Sequence, residues 1–268
     1  MDVVTSSPST GPSASPPAGL PGLTLPEGWT ARPLQLVGDD GGRDVDLALD
    51  VCLRCETAAV GDAEVSRGEV LELLVSPVAS LADTRLVLDA EGRPAGYLAV
   101  ELDDSARDGF LDAYVDPDHP GVPAGLWRAL LESGVGAVAG RAAASGTSYT
   151  AKAGAYATDA SYTRALHEAG FAPVRHFFRM GIGTADPAVP ATAPPAPDGT
   201  TLEVARSDAQ RRELHQVFEA SFVDHWNHHD RDADAWLALM ETLDGHDPER
   251  WWLVRVDGEP AAVCILDD

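Results

Sequence analysis

Lysine is almost missing from this chain: among 268 residues Lys152 is the only one, and nineteen basic residues face forty-three acidic ones, a formal net charge of -24. Such a chain repels a phosphate backbone, so nucleic acid is not an expected partner. Cysteine is scarce too. Cys52, Cys55 and Cys264 cannot build a disulfide framework, and Cys52-x-x-Cys55 has no second ligand pair to complete a zinc site. No run of about 18 apolar residues is present to cross a bilayer, so no membrane association is expected. The opening MDVVTSSPSTGPSASPPAGLPGL has neither a basic n-region nor an apolar h-region, which does not read as a secretory signal. The expected location is a reducing cytoplasm. The acidity would concentrate cations near the surface, but it serves solubility equally well, so charge alone names no substrate.

What is present is a chain of alternating composition. Residues 1–26 and the stretch TADPAVPATAPPAPDGT from Thr184 to Thr200 are rich in Pro, Ala, Ser, Thr and Gly and bury too little apolar area to order themselves. They are read as a tail and an interdomain linker, bounding folded units at 27–183 and 201–268. In the first unit, Val45, Leu49, Cys52 and Leu53 fall near helical spacing, and EVSRGEVLELLVSP predicts a second helix capped by Ser66 and ended before Pro77. TRLVLDAEGRPAGYLAVEL predicts a hairpin and GFLDAYVDP a third strand. Leu126, Leu130, Gly134 and Val138 mark one face of a long helix. TSYTAKAGAYA then reads as a strand, TDASYTRALHEAG as a short helix stopped by Gly170, and PVRHFFRMGIG as a closing strand. This order implies an α/β domain with a mixed sheet.

The second unit repeats the opening: two helices, then the hairpin WLVRVDGEPAAVCILDD, which parallels LVLDAEGRPAGYLAVELDD. Of Trp251 and Trp252, neighbours on a strand, one is expected in the core and the other outside it. The repeat is expected to stop part-way at Asp268. Either residues follow there in the natural protein, or the open strand VCILDD pairs with a second copy in a homodimer.

GYLAVEL, YVDPDHPGVPAGLWRALLESG and TDASYTRALHEAGFAPVRHFFRM together resemble the GNAT N-acetyltransferase superfamily, and more narrowly its bacterial tandem-domain members, of which mycothiol synthase is an example. The resemblance covers nearly all of residues 27–268. It implies one complete GNAT-type acyl-CoA N-acyltransferase module plus a partial second one, with acetyl-CoA as co-substrate and a small-molecule primary amine as acceptor. The family's strand-loop-helix segment holds the cofactor pyrophosphate on loop amides at a helix N-terminus, where unpaired N–H groups and the helix dipole favour anions. This carries over to Gly121, Val122, Ala124, Gly125 and Leu126, with Val115 and Pro117 in the family positions. Pro120 and Pro123 depart from the pattern, and each removes a donor, so weak cofactor binding in the first module, or none, is expected; the alternative to an enzyme is a catalytically inactive acyl-CoA- or metabolite-binding or dimerisation protein derived from the same fold.

The family's carbonyl-polarising amide falls around Tyr114 and Val115, and Asp159 stands where relatives often carry Asn near the cofactor. The acceptor's proton would pass to Glu101, with Asp112 as second candidate; the plainer reading of Glu101 is a solvated strand-end carboxylate beside Asp103 and Asp104. Leu166 occupies the place of the family's Tyr acid, and Tyr149, Tyr156 and Tyr162 are read first as packing residues with exposed hydroxyls. In the second unit the resemblance places Phe222, His225 and Trp226 in the acceptor-pocket wall. The cluster VDHWNHHD carries no HExxH signature, and no metal is expected.

Overall fold

A computed structural model describes residues 19–36, 41–178, 180, 192, 195–225, 231–241 and 246–266. The chain divides into two compact units, one through Pro173 and one from Val174.

Unit 1 runs β1 (Thr30–Arg32), α1 (Gly41–Val60), α2 (Arg67–Val75), β2 (Arg85–Leu88), β3 (Pro94–Asp103), β4 (Asp108–Val115), α3 (Leu126–Ser145), β5 (Thr150–Ala153) and α4 (Ala160–Glu168). Its five strands lie in chain order in one sheet. Neighbours are antiparallel except β4 and β5, which are parallel. The mixed sheet read from the sequence is therefore present. Local chemistry sets the helix ends: Ser66 and Glu69 form a reciprocal capping box at α2, and Asp159 caps α4 through the Tyr162 amide.

Strand alternation sends side chains to two cores. One face, under α3 and α4, buries Leu98, Val100, Leu111, Ala113, Leu130 and Val138. The other, under α1 and α2, buries Val45, Cys52, Leu74, Leu86, Tyr97 and Ala99. Strands covered on both faces read as continuous apolar runs, as β3 does from Pro94 to Val100. Burial, helped by the Asp116 and Asp159 charges, pushes the Cys55 thiol up to about 12, so it packs as an apolar group. α3 sits close to the sheet because its Gly134 faces Leu111, where an added Cβ would come within 2.8 Å of Cδ2.

Unit 2 runs β6 (Thr200–Val204), α5 (Asp208–Phe222), α6 (Ala233–Met240), β7 (Trp251–Val256) and β8 (Glu259–Ile265), with an antiparallel sheet ordered β6-β7-β8. The β7–β8 turn places Asp257 at φ 51 and Gly258 at φ 90, the pair of positive values that a two-residue hairpin favours. Trp251 is buried and Trp252 only half-buried, as alternation requires. Both units thus share one opening, strand-helix-helix-strand-strand.

Two parts differ from the sequence reading. β1 and β6 are short edge strands with half-polar sequences, TAR and TTLEV, which give no apolar run. The expected closing strand is absent among its described residues: Pro173–Phe178 takes no sheet partner, and Val174, Phe177 and Phe178 stay exposed. Its alternating pattern lacks a buried face to settle on.

Candidate active site

β4 and β5 pair from Asp108 opposite Thr150 to Leu111 opposite Ala153, where β5 ends. β4 continues to Val115, so residues 112–115 have no strand on that side among the described residues, and the sheet opens into a fork. The register with β3 decides which backbone groups face the opening. Asp116 donates its amide to the Ala95 carbonyl at 3.1 Å, and the pairs Tyr97–Tyr114 and Ala99–Asp112 are in step with it. Amides of Asp112 and Tyr114 therefore point at β3, and those of Ala113 and Val115 point into the fork. Of the two residues expected to polarise a carbonyl, Val115 presents its amide there and Tyr114 does not.

Two side chains already reach the fork. The Cys55 thiol donates to the Val115 carbonyl at 3.3 Å. Tyr162, buried rather than exposed, stacks on Trp127 with ring centroids 4.6 Å apart. Its hydroxyl lies beside the Ala113 amide yet completes no hydrogen bond of good geometry. Burial holds this phenol well above its ordinary value, the Asp112 charge adds to the effect, and the Ala113 amide opposes it.

On the sheet face beneath α1 and α2, alternation groups Tyr97, Ala99 and Glu101 of β3 with Asp112 and Tyr114 of β4. Glu101 pairs with Phe110 and Asp112 with Ala99, which makes the two carboxylates diagonal neighbours. Burial pushes Asp112 up to about 6, and the charges of Glu101 and Glu56 act in the same direction. The Tyr114 hydroxyl, donating to Asp112 Oδ2 at 3.0 Å, offsets part of this. Glu101 is raised as well, chiefly by burial, against a hydrogen bond from Ser76. It is half-buried and coupled to Asp112 rather than freely solvated.

Glu56 of α1 completes the cluster. Its Oε1 accepts the Tyr156 hydroxyl at 2.9 Å, and its Oε2 accepts the amides of Glu64 and Val65 at 3.1 and 3.2 Å. The Tyr97 ring stacks on Tyr114 at 6.0 Å, and its buried hydroxyl has no hydrogen-bond partner. Glu56 is a site residue that no local pattern in the sequence marks, because its place here depends on how α1 packs on the sheet.

Beyond the carboxyl end of β4 lies a cleft of about 460 Å³, lined among others by Cys55, Val115, His119, Val122, Trp127 and Asp159. The loop that borders it is partly self-satisfied. Buried Asp116 meets Arg54 Nε at 3.0 Å and accepts the Asp118 amide at 2.9 Å. His119 Nδ1 accepts the Gly121 amide at 3.2 Å, which leaves its Nε2–H to donate to Asp89 at 3.1 Å. The Gly121 donor is thereby turned inward, and the Leu126 amide goes to the Pro123 carbonyl at 3.1 Å. Amides of Val122, Ala124 and Gly125 take no partner among the described residues. Gly125, at φ 90, is the N-cap of α3, a conformation open to glycine with little strain. Asp159 borders the cleft while its carboxylate caps α4 at 2.9 Å from the Tyr162 amide.

In unit 2, Phe222 is half-buried at the end of α5, its ring centroid 4.7 Å from that of Phe218 and 5.3 Å from that of exposed His225. Trp226, with His228 and His229, lies outside the described residues. A cleft of about 490 Å³ between α5 and β8 has Glu213 as its one titratable lining residue, already paired with Arg255, so it offers no acid-base chemistry. No cluster of three or more metal-ligating side chains occurs among the described residues.

No protein-family model matches this chain, and no curated protein is significantly similar to it. Solved structures are. A GCN5-related N-acetyltransferase from Sphaerobacter thermophilus is 22% identical, with 91% of this chain and 73% of that one covered at a TM-score of 0.69. A tandem GNAT protein from the clavulanic acid biosynthesis pathway is 16% identical, covering 88% and 73% at a TM-score of 0.55. These likenesses show the fold: the chain has the architecture of GNAT N-acyltransferases.

Proposed function

We propose that this chain transfers an acetyl group from acetyl-CoA to a primary amine, and that unit 1 carries the chemistry. One juxtaposition supports the reading. Asp112, a carboxylate titrating near 6, is adjacent in the chain to Ala113, whose amide, like that of Val115, points into a fork. The cleft beyond it is lined by Val122, whose amide takes no partner among the described residues, and by Trp127 in the first turn of a 20-residue helix. A thioester carbonyl laid along β4 would find an N–H donor as charge develops on its oxygen, and the cofactor phosphates would find the helix dipole.

Asp112, largely ionised at neutral pH, takes one proton from the acceptor ammonium. The freed amine attacks the carbonyl carbon, a C–N bond forms, and a strand amide stabilises the oxyanion. The C–S bond then breaks, Asp112 returns the first proton to the departing thiolate, and the nitrogen releases its second proton to solvent water, so that one proton is set free per turnover. Glu101, its diagonal neighbour, positions charge around this transfer.

The fork is tight as it stands, since Cys55 and Tyr162 occupy it, and the loop has lost the donors of Pro120, Pro123, Gly121 and Leu126. Each charge-assisted hydrogen bond missing from a phosphate lowers affinity by about tenfold or more, so acetyl-CoA is expected to bind weakly. The repeated strand-helix-helix-strand-strand opening supports the finer likeness to tandem bacterial members, with the Pro- and Ala-rich stretch 184–200 as linker.

Calorimetric titration with acetyl-CoA tests the reading, followed by thiol release with a panel of primary amines. Saturable binding and amine-dependent release, lowered at least about 100-fold in Asp112→Asn, are the expected results. The absence of binding at millimolar acetyl-CoA would overturn the proposal.

A further inference from the structure

The carboxylates beneath α1 and α2 lack a counter-ion. Glu56, Glu101 and Asp112 come together from one helix and two strands, and no Lys or Arg pairs with any of them among the described residues. The nearby cations are engaged elsewhere: Arg54 with Asp50 and Asp116, Lys152 with Asp108. Partly desolvated like charges in mutual repulsion are unfavourable, and natural proteins keep such groups where something positive meets them. A second observation points to a ligand. The Tyr97 hydroxyl, in a side chain only 1% exposed, has no hydrogen-bond partner, and its residue lies on the sheet face that carries Glu101 and Asp112, packed in the same core as Cys52 of α1. Its ring and that of Tyr114 are stacked 6.0 Å apart and 10° from parallel, which adds aromatic surface to the site.

We infer that Glu56, Glu101 and Asp112, with Tyr97 and Tyr114, form a subsite for a dicationic amine, two ammonium groups joined by a short flexible chain. As the acceptor of the transfer proposed above, this ligand rests on that reading. A monoamine would neutralise one of three carboxylates and leave the others facing each other. The diagonal placement of Glu101 and Asp112 keeps their Cβ atoms somewhat under about 7–8 Å apart, a span that two ammonium groups on a short chain can bridge, with the Glu56 charge of α1 also acting on Asp112. A metal ion fits less well. Both Glu56 oxygens already accept hydrogen bonds, and no metal-type cluster is formed.

The test is calorimetric titration of the whole chain, without acetyl-CoA and at an ionic strength of about 0.15 M, with putrescine, butylamine and magnesium chloride. Putrescine should bind at least about tenfold tighter than butylamine. Asp112→Asn and Glu56→Gln should each weaken putrescine by at least about tenfold, and Tyr97→Phe, which keeps the packed ring, by several-fold. Equal affinity for the two amines, putrescine binding unchanged in the variants, or full competition by magnesium would overturn the inference. Should either carboxylate variant lose its native circular dichroism, Tyr97→Phe decides alone.

Thiol release in the presence of acetyl-CoA separates this inference from the reading beneath it. Putrescine bound in a variant-sensitive way, with no amine of the panel releasing thiol, leaves the cation subsite standing and sinks the transferase. Butylamine acetylated as efficiently as putrescine does the reverse.

Discussion

Asp112 is held in a state that costs stability. Its unfolded carboxyl titrates near 3.9, whereas burial lifts the folded one to about 6. Between those values the native state binds more protons than the unfolded chain, so this residue's contribution to stability is fully present below about pH 4 and is lost as pH rises through 6. Asp112→Asn should therefore stabilise the fold at pH 7.5 by roughly 1–3 kcal/mol, nearer the lower end because the carboxylate is partly open to water. The gain should vanish below about pH 4. Calorimetric melting of both proteins across pH 4–8 checks it, and a constant difference would show that Asp112 has an ordinary carboxyl. Asp44 is the opposite case. Burial would raise it, but hydrogen bonds from Arg32 at 2.5 and 2.7 Å and from the Gln35 amide at 2.9 Å hold it below its usual value. Its contribution is present above the unfolded value and lost as pH falls through the lower folded one. Asp44→Ala removes these hydrogen bonds and should cost about 1–3 kcal/mol in urea unfolding at pH 7.

At the scale of elements, the approach of α3 to β4 holds the base of the fork in place. Gly109 lies under Val138, where a Cβ would collide with Cγ2, and Val is too short to swing away. Gly109→Ala should cost about 1–3 kcal/mol, and adding Val138→Ala should recover part of it, despite the cavity that Val138→Ala alone would leave. Urea unfolding of the two singles and the double measures the coupling; strict additivity would mean that the two residues do not touch. The same interface shows what the sequence discloses. The stripe Leu126, Leu130, Gly134, Val138 could be read directly because its period is local. Ser66 was equally legible as a cap, since a cap is a contact three residues away. Glu56 with Asp112 was not, because it depends on which face of α1 meets which face of β4. Nor was the inward turn of the Gly121 amide, which depends on His119 meeting Asp89 from the turn between β2 and β3.

Whole-molecule organisation follows from two separate sets of cores. Unit 1 buries residues on both faces of its sheet, and unit 2 gathers Leu214, Trp236 and Trp251 into its own cluster. Few side chains between them need ordering by a core: Val174, Phe177, Phe178 and Met180 are all more than half exposed. Arg175, also exposed, sits next to the division at Pro173. Cleavage by a protease requires an extended, accessible backbone, and segments outside regular pairing supply it. Limited trypsinolysis should therefore cut first between Arg175 and Arg206, and the amino-terminal product should retain a cooperative melting transition, because its sheet, both covering layers and all of Glu56, Glu101 and Asp112 precede the cut. Putrescine should raise the melting temperature of that fragment by the same amount as in the intact chain. A first cut within α1 or α3, or a fragment that melts without cooperativity, would mean that unit 1 depends on the rest of the chain for its fold.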